Sequence, residues 1–488
     1  MNPLKTFMAP SRRGFAFFGL SLFIFVGLVG GQTAWANIGE SIGFTSRSSA
    51  LGGATVAWGS EGARAWTNPA SLAIEDDQRL HFNWTILGAQ PNFTPINDIV
   101  VENPYVSDKT RSADVDLGYR PTLGQAISLE YNLAPNWGNL SLGVIGFLPL
   151  EQITYLDTGE PYVPEYVLYR ARNQRPQVEV GLGWSPWREL QIGVGSHLGF
   201  ALTGYASVFL QSDQERPSSM RISASMKPRI APYFGFQYRP VASDEEGTSF
   251  GPRFTLGGVV RLPLDSGVSM NLNTGAQVFG SFAGVDIAFK ALSSIYYDPL
   301  SAELGFSWRY SDRARILVQA DWQDWRGYVA PTLDIQDPSA ECQEGTDPAA
   351  ECGLAISGSE NATPKLAAIL IPRIGHEWQA SEQLALRVGY SHRPSIFADV
   401  PNGAGNLLDP ARDIVTAGIG WTFAQFLHFE QPATVDLYLA YHLMRTQQIT
   451  KTAGTEGDAT SPDPKVGSPG YQAGGNVIGG GVTLSLGF

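Results

Sequence analysis

Along most of this chain apolar and polar residues alternate at every second position, and this limits the possible folds more than any other feature. "RLHFNWTIL" (79–87) sets Leu80, Phe82, Trp84 and Ile86 against His81, Asn83 and Thr85. "QVEVGLGW" (177–184) sets Val178, Val180, Leu182 and Trp184 against Gln177, Glu179 and glycines. "TVDLYLAYHL" (434–443) sets Val435, Leu437, Leu439 and Tyr441 against Thr434, Asp436 and His442. Successive side chains on a strand point to opposite faces, so each segment carries one apolar face and one that tolerates water. The pattern predicts about fourteen strands: 79–88, 121–133, 139–149, 175–186, 189–211, 218–240, 252–264, 299–310, 313–325, 367–380, 383–393, 411–424, 431–447 and 474–488. Short links such as "SPWRE", "YSDR" and "ASEQ" alternate with long ones around 88–121, 149–175, 264–299, 326–367, 393–411 and 447–474. Turns on one rim and long loops on the other are the habit of a transmembrane antiparallel β-barrel, polar inside and apolar outside. The fold class is therefore all-β, a barrel of about fourteen strands. Trp184, Trp187, Trp308, Trp322, Trp325, Trp378 and Trp421 lie near predicted strand ends, where interfacial aromatic girdles would sit.

Composition agrees where it bears on this choice. Charged residues are only 16%, aromatic residues reach 11% and glycines number 54, a poor match to a large soluble enzyme. A formal net charge of −13 argues against nucleic acid as partner and suits acidic loops that meet divalent cations at a lipopolysaccharide surface.

Residues 1–36 read as a secretory signal peptide. Lys5, Arg12 and Arg13 precede the apolar run "FAFFGLSLFIFVGLVG", and Ala34-Trp35-Ala36 fits a cleavage site after Ala36. "SRRGF" also resembles a twin-arginine signal; that route carries folded cargo and would conflict with a membrane barrel, whereas the very apolar core favours the general secretory route. The barrel is then expected over 79–488, with the last strand, "GVTLSLGF", ending on Phe488. An amphipathic terminal strand with an aromatic final residue resembles the signal by which bacterial barrel assembly machinery recognises outer-membrane proteins. Cys342 and Cys352 in "ECQEGTDPAAECG" suit a disulfide closing a polar loop; two thiols without a nearby histidine fall short of a zinc set, and no metal is expected.

Residues 37–78 remain. A fourteen-stranded barrel is wide enough to leak unless something fills it. "SSALGGATVAWGSEGARAWTNPASLA" is rich in Ala, Gly and Ser, small enough to pack within a lumen. In "WTNPASLA" (66–73) Asn68 can cap a short helical turn that Pro69 begins and Ala70 to Ala73 continue. The expected role of 37–78 is a small helical hatch; the other reading is a loose periplasmic tail.

The same stretch resembles the amino-terminal signature of the FadL/TodX family of outer-membrane transporters, a small-residue run ending in Asn68, Pro69 and Ala70. "AELGFSWRYSDRARILVQADWQDW" (302–325) is similar to that family's strand-turn-strand ending in a Trp pair. "LRVGYSHRPS" (386–395) followed by "LLDPARDIVTAGIGW" (407–421) is similar to its R-x-G-Y and D-x-x-R blocks, through Arg387, Gly389, Tyr390, Asp409 and Arg412. The region from about 88 to 300 carries no matching motif. The resemblance implies a fourteen-stranded bacterial outer-membrane barrel with a hatch. It implies passive uptake of long-chain fatty acids or similar hydrophobic molecules, with no cofactor. It also implies binding near the loops, then beside the hatch, and release through a kinked wall into the membrane. A monomer is expected. An apolar pocket would hold a tail, at ~0.8 kcal/mol per buried CH₂, while one or two cations orient a carboxylate.

Strand parity proposes those cations. Arg221, Lys227 and Arg229 share one face with Ser223 and Ser225, opposite Ile222, Ala224 and Met226, and Pro228 and Pro232 in the same strand remove ladder donors. Arg387, Arg412 and Asp321 also turn inward. Such charges either bind a headgroup or pair with one another and with the hatch. Other functions stay open: an aromatic-hydrocarbon channel, a general porin, or a related barrel serving as a secretion-system partner. An enzyme is not expected, because none of His81, His197, His376, His392, His428 and His442 sits in a motif with a nucleophile or with metal-ligand spacing.

Overall fold

The computed structural model describes residues 43–59, 62–73, 79–100, 112–115, 119, 121–150, 164–169, 176–211, 219–240, 254–277, 285–328, 332–336, 365–399, 407–424, 431–451, 467 and 469–488. The signal peptide and the Cys342–Cys352 pairing lie outside the described residues.

The strands in chain order begin with β1 (Leu80–Phe93), β2 (Ile96–Val100), β3 (Ser112–Val115), β4 (Thr122–Ala134), β5 (Leu140–Pro149), β6 (Glu165–Tyr166), β7 (Gln177–Trp184) and β8 (Leu190–Gln211). There follow β9 (Ser219–Tyr238), β10 (Phe254–Arg261), β11 (Leu264–Gln277), β12 (Val285–Asp298), β13 (Leu300–Ser311), β14 (Ala314–Asp324), β15 (Thr332–Gln336) and β16 (Lys365–Leu366). The last are β17 (Ala368–Gln379), β18 (Leu384–Arg393), β19 (Phe397–Asp399), β20 (Leu407–Leu408), β21 (Arg412–Phe423), β22 (Ala433–Thr450) and β23 (Gly470–Gly487).

Fourteen of these, β1, β4, β5, β7, β8, β9, β10, β13, β14, β17, β18, β21, β22 and β23, form an antiparallel wall. It closes where β1 pairs with β23, from His81↔Gly487 to Phe93↔Gly475. Each of the fourteen predicted spans corresponds to one wall strand. Their alternation becomes a division between two environments: along β22, Leu437, Leu439, Tyr441 and Leu443 are exposed while Asp436, Tyr438, Ala440 and His442 are buried. Leu304, Phe306, Val318, Ile374, Val388, Val415 and Ile478 continue the exposed apolar belt around the other strands. A closed wall leaves no unpaired edge, and an outward band of this kind is what hydrocarbon requires, so the barrel is built to span a membrane. Trp187, Trp308, Trp322, Trp378 and Trp421 stand exposed on its outside. Trp325 does not: it is fully buried against Tyr297 and Tyr328, with its indole N–H donated to Gln323 Oε1 at 2.9 Å. It belongs to a short 3-10 turn above the wall, so its place at a strand end misleads.

The link expected over 264–299 is corrected too. It holds β11 and β12, which continue β10 and β13 past Pro263 and Pro299 as one tall hairpin. Above the wall β11 pairs in parallel with β8, from Val268↔Leu202 to Gln277↔Gln211, giving an upper order β9–β8–β11–β12–β15. One seam in the wall is short as a result. The β9–β10 ladder runs only from Leu256↔Tyr238 to Arg261↔Tyr233. It stops beside Pro232, which has no N–H to give; a last bond joins Leu262 N–H to the Pro232 carbonyl at 3.1 Å. Of the two prolines that remove ladder donors, Pro232 marks a break on the β10 side, while β9 and β8 stay paired throughout, Pro228 included.

Candidate functional site

Residues 43–59 and 62–73 lie inside the wall. They form helix α1 (Ser46–Ala50), helix α2 (Arg64–Thr67) and a 3-10 turn, Pro69–Ala73, and most of their side chains are buried. Small side chains let the segment press on the wall, and the wall answers with glycine. A Cβ on Gly183 would meet the Pro69 carbonyl at 2.6 Å, one on Gly375 would meet the Leu51 carbonyl at 2.7 Å, and one on Gly389 would collide with the Gly52 amide. Inward polar side chains tie the segment's backbone, whose groups would otherwise be buried unpaired. Ser46 N–H donates to Thr483 Oγ1 at 2.8 Å and Gly52 N–H to Thr416 Oγ1 at 3.1 Å. Val56 N–H donates to Gln319 Oε1 at 3.0 Å, and Gln237 Nε2 to the Ala57 carbonyl at 2.5 Å.

Asn68 is the junction. Its Nδ2 donates to the Val56 carbonyl at 2.8 Å and to the Phe236 carbonyl on β9 at 2.9 Å, while its Oδ1 accepts from Ala70 N–H at 3.0 Å. The bond to Ala70 is the capping that the sequence suggests; the two donated bonds, which pin the segment to itself and to the wall, leave no local signature. Pro69 and Ala70 are buried beside Asn68 and rest on β8 near Gly193.

Charge completes the seating. Arg47 pairs with Glu377 at 3.0 Å, Arg64 with Glu130 at 3.2 Å, and Arg373 reaches both Asp321 and the Gly52 carbonyl. Arg261 donates to the Trp66 carbonyl, pairs with Glu303 at 3.0 Å, and lies over the rings of Trp66 and Tyr233. Of the cations singled out in the sequence, Arg387 is buried between Glu377 and Asp436, and Arg412 is buried 3.5 Å from Asp409 and over Tyr169. Both point inward as parity requires, and both face carboxylates. Lys227 and Arg229 share the inward parity of Tyr233 and Gln237 but stand exposed above the closed wall. Arg221 is in the same strand, paired with Ser207; its side chain lies outside the described residues.

Over the segment lies a cavity of ≈ 120 Å³. Ser48, Thr55 and Trp66 form its floor, with His197, Arg261, Asp298, Glu303 and Asp321 among its walls. This is not the apolar tail pocket expected beside a hatch. His197, which sits in no catalytic or metal-binding motif, has Nδ1 2.8 Å from Asp298 Oδ2 and 3.6 Å from Glu179. Ala231 and Leu262, at the short β9–β10 seam, also line this cavity.

An apolar cluster does exist, higher up, packed as a core. Phe93 stacks on Tyr166 at 4.0 Å and meets Tyr119 and Tyr169 edge-on, beside the buried Ile96, Ile99, Leu407 and Leu408. Tyr166 exchanges bonds with Gly474, accepting from its N–H at 2.7 Å and donating to its carbonyl at 3.0 Å; burial pushes its hydroxyl pKa up to about 12. These rings come from two separate connections, 88–121 and 149–175, so no sequence motif announces them.

No protein-family model matches the chain, and no curated protein matches it in sequence. Solved structures do match in shape. A Pseudomonas aeruginosa FadL homologue aligns over 90% of this chain and 97% of its own, at 13% identity and a TM-score of 0.55. The P. putida toluene transporter TodX aligns over 92% of this chain and 99% of its own, at 14% identity and a TM-score of 0.51. At such identity the likeness establishes the fold, and the fold is theirs.

Proposed function

We propose that this chain, which has the fold of the FadL homologue and of TodX, is a passive outer-membrane channel for small hydrophobic molecules, with residues 43–73 as its hatch. The observation that carries the reading is a closed wall whose lumen is crossed by a buried segment tied to β5, β7, β8, β9, β14, β21 and β23. A general porin needs an open aqueous bore, and a solute that prefers hydrocarbon gains nothing from one. For such a solute the cavity over the segment is a waypoint rather than a tail pocket.

A cavity of ≈ 120 Å³ favours compact cargo. An empty site of about 150 Å³ holds one benzene-sized ring, so a long acyl chain would require the segment to move. This supports single-ring hydrocarbons over long-chain fatty acids. Release is assigned to the β9–β10 seam, because the ladder there ends at Arg261↔Tyr233 and the cavity borders it through Ala231 and Leu262.

Reconstituted protein should pass little sugar in liposome-swelling assays yet speed toluene entry. Removing residues 37–72 should raise sugar permeability and erase the preference for toluene. Equal sugar flux with and without the segment would defeat the hatch reading. A disulfide between cysteines placed at Ala231 and Leu262 should slow toluene entry if the seam is the exit, and leaving it unchanged would move the exit elsewhere.

A further inference from the structure

The outer face of the wall carries a recess of its own. It lies at the rim of short turns, which faces the periplasm in a barrel of this kind. Leu182 and Trp184 of β7, Ile192 and Val194 of β8 and Phe234 of β9 line a groove of ≈ 470 Å³ on the hydrocarbon side. Its floor is bare backbone: Gly183, Gly193 and Gly235 stand opposite one another across the three strands. A Cβ on these glycines would run into Pro69, Ala70 and Asn68, so the wall between groove and segment is one backbone thick. Trp137, from the turn between β4 and β5, joins the lining with its ring centroid 5.7 Å from that of Trp184. That turn is tied to the next one, Ser185 N–H donating to the Gly138 carbonyl at 2.7 Å. Trp137 and Trp187 are 63% and 64% exposed, as rings at the level of lipid headgroups are. Arg188 stands exposed beside Trp187, in the turn that joins Trp184 to β8. Lipid covers the whole apolar belt, but a concave floor touches an acyl chain on several sides where a ridge touches it on one. A guanidinium at headgroup depth adds a partner for phosphate.

We propose that this groove is a binding site for one phospholipid of the periplasmic leaflet, an acyl chain lying on the glycine floor and the phosphate meeting Arg188. The site is outside the lumen and shares no lining residue with the cavity over the segment. It goes beyond the channel reading and stands without it, since binding is measured with no flux.

The test is native mass spectrometry of the full-length protein in a neutral detergent, titrated with dioleoyl phosphatidylethanolamine. One lipid should bind more tightly than those that follow it. Val194→Trp fills the groove from the hydrocarbon side, away from the lumen, and should weaken this first binding by about tenfold or more. Arg188→Gln should weaken it by about three- to fivefold, and Arg188→Lys, which keeps the charge, should retain most of the affinity. Dioleoylglycerol, with the same chains and no phosphate, should bind the parent more weakly and should not tell Arg188→Gln from the parent. Heat-modifiable mobility on a gel checks that each variant keeps its barrel. Equal first binding in the parent and in Val194→Trp overturns the proposal. So does equal affinity of the parent for dioleoylglycerol and the phospholipid, or a run of equal, unsaturable additions, the mark of bulk lipid alone.

Discussion

Replacing Asn68 by alanine tests the seating of the amino-terminal segment at its most connected point. The side chain donates at 2.8 Å to Val56 and 2.9 Å to Phe236 and accepts at 3.0 Å from Ala70. Alanine removes all three bonds and the buried amide itself, leaving a void and up to three backbone groups with a partner lost. A buried group left unsatisfied costs about 1–3 kcal/mol. Phe236 stays in its ladder and Ala70 N–H belongs to a short turn, so a total near 3 kcal/mol for the docked state is reasonable. At ~1.4 kcal/mol per tenfold, the undocked fraction should rise about a hundredfold. The assay is conductance of single barrels in a planar bilayer, with limited proteolysis of the segment alongside. Asn68→Ala should show frequent large openings and faster cleavage between residues 43 and 73, while the barrel keeps its heat-modifiable mobility on a gel. Asn68→Asp, which keeps the acceptor for Ala70 and loses both donors, should be at least as leaky. If Asn68→Ala conducts like the parent and resists protease as well, the junction role is refuted.

Other outcomes follow from the same contacts. Gly389→Ala places a Cβ against the Gly52 amide, and overpacking of this kind costs about 1–3 kcal/mol; it should raise sugar flux without loss of barrel yield. Trp325→Ala, at a fully buried site, should destabilise the cluster with Tyr297 and Tyr328 by roughly 3–5 kcal/mol, seen as new protease sensitivity above the wall only. The Tyr166 hydroxyl, raised from 10.0 to about 12, binds its proton more tightly when folded. Its contribution is complete below about pH 10 and lost as pH rises toward 12, so the protection of the Gly474 amide, corrected for base-catalysed exchange, should fall in that window. Tyr166→Phe should abolish that fall and show lower protection of the Gly474 amide at neutral pH.

The wall was legible because its signal is local and repeated. Leu437, Leu439 and Tyr441 face hydrocarbon, Asp436, Tyr438 and Ala440 face the lumen, and one residue of slip would exchange them. β11 carries the same signal, Val268, Met270 and Leu272 against Ser269, Asn271 and Asn273, but Pro263 reads as the end of a strand rather than a break within one. Trp325 shows the converse, an aromatic at the expected position whose surroundings are set by residues far along the chain. The candidate site was legible only as composition. Small residues in 43–73 announce close packing, but the partners, such as Gln319 for Val56 or Glu377 for Arg47, lie hundreds of positions away. Inward parity correctly places Arg387 and Arg412 and cannot tell that each meets a carboxylate.

Helix α1 rests on β18, β21, β22 and β23, whereas α2 and the 3-10 turn rest on β5, β7, β8 and β9. The beginning of the chain therefore needs its very end: Ser46 has no Thr483 to bind until the final strand has been made and zipped to the first. A biosynthetic intermediate stalled after β14 would offer a berth for half of the segment and leave the other half adrift. On the proposed hatch reading, completion of the cylinder and its sealing are one event, and a truncated product should leak.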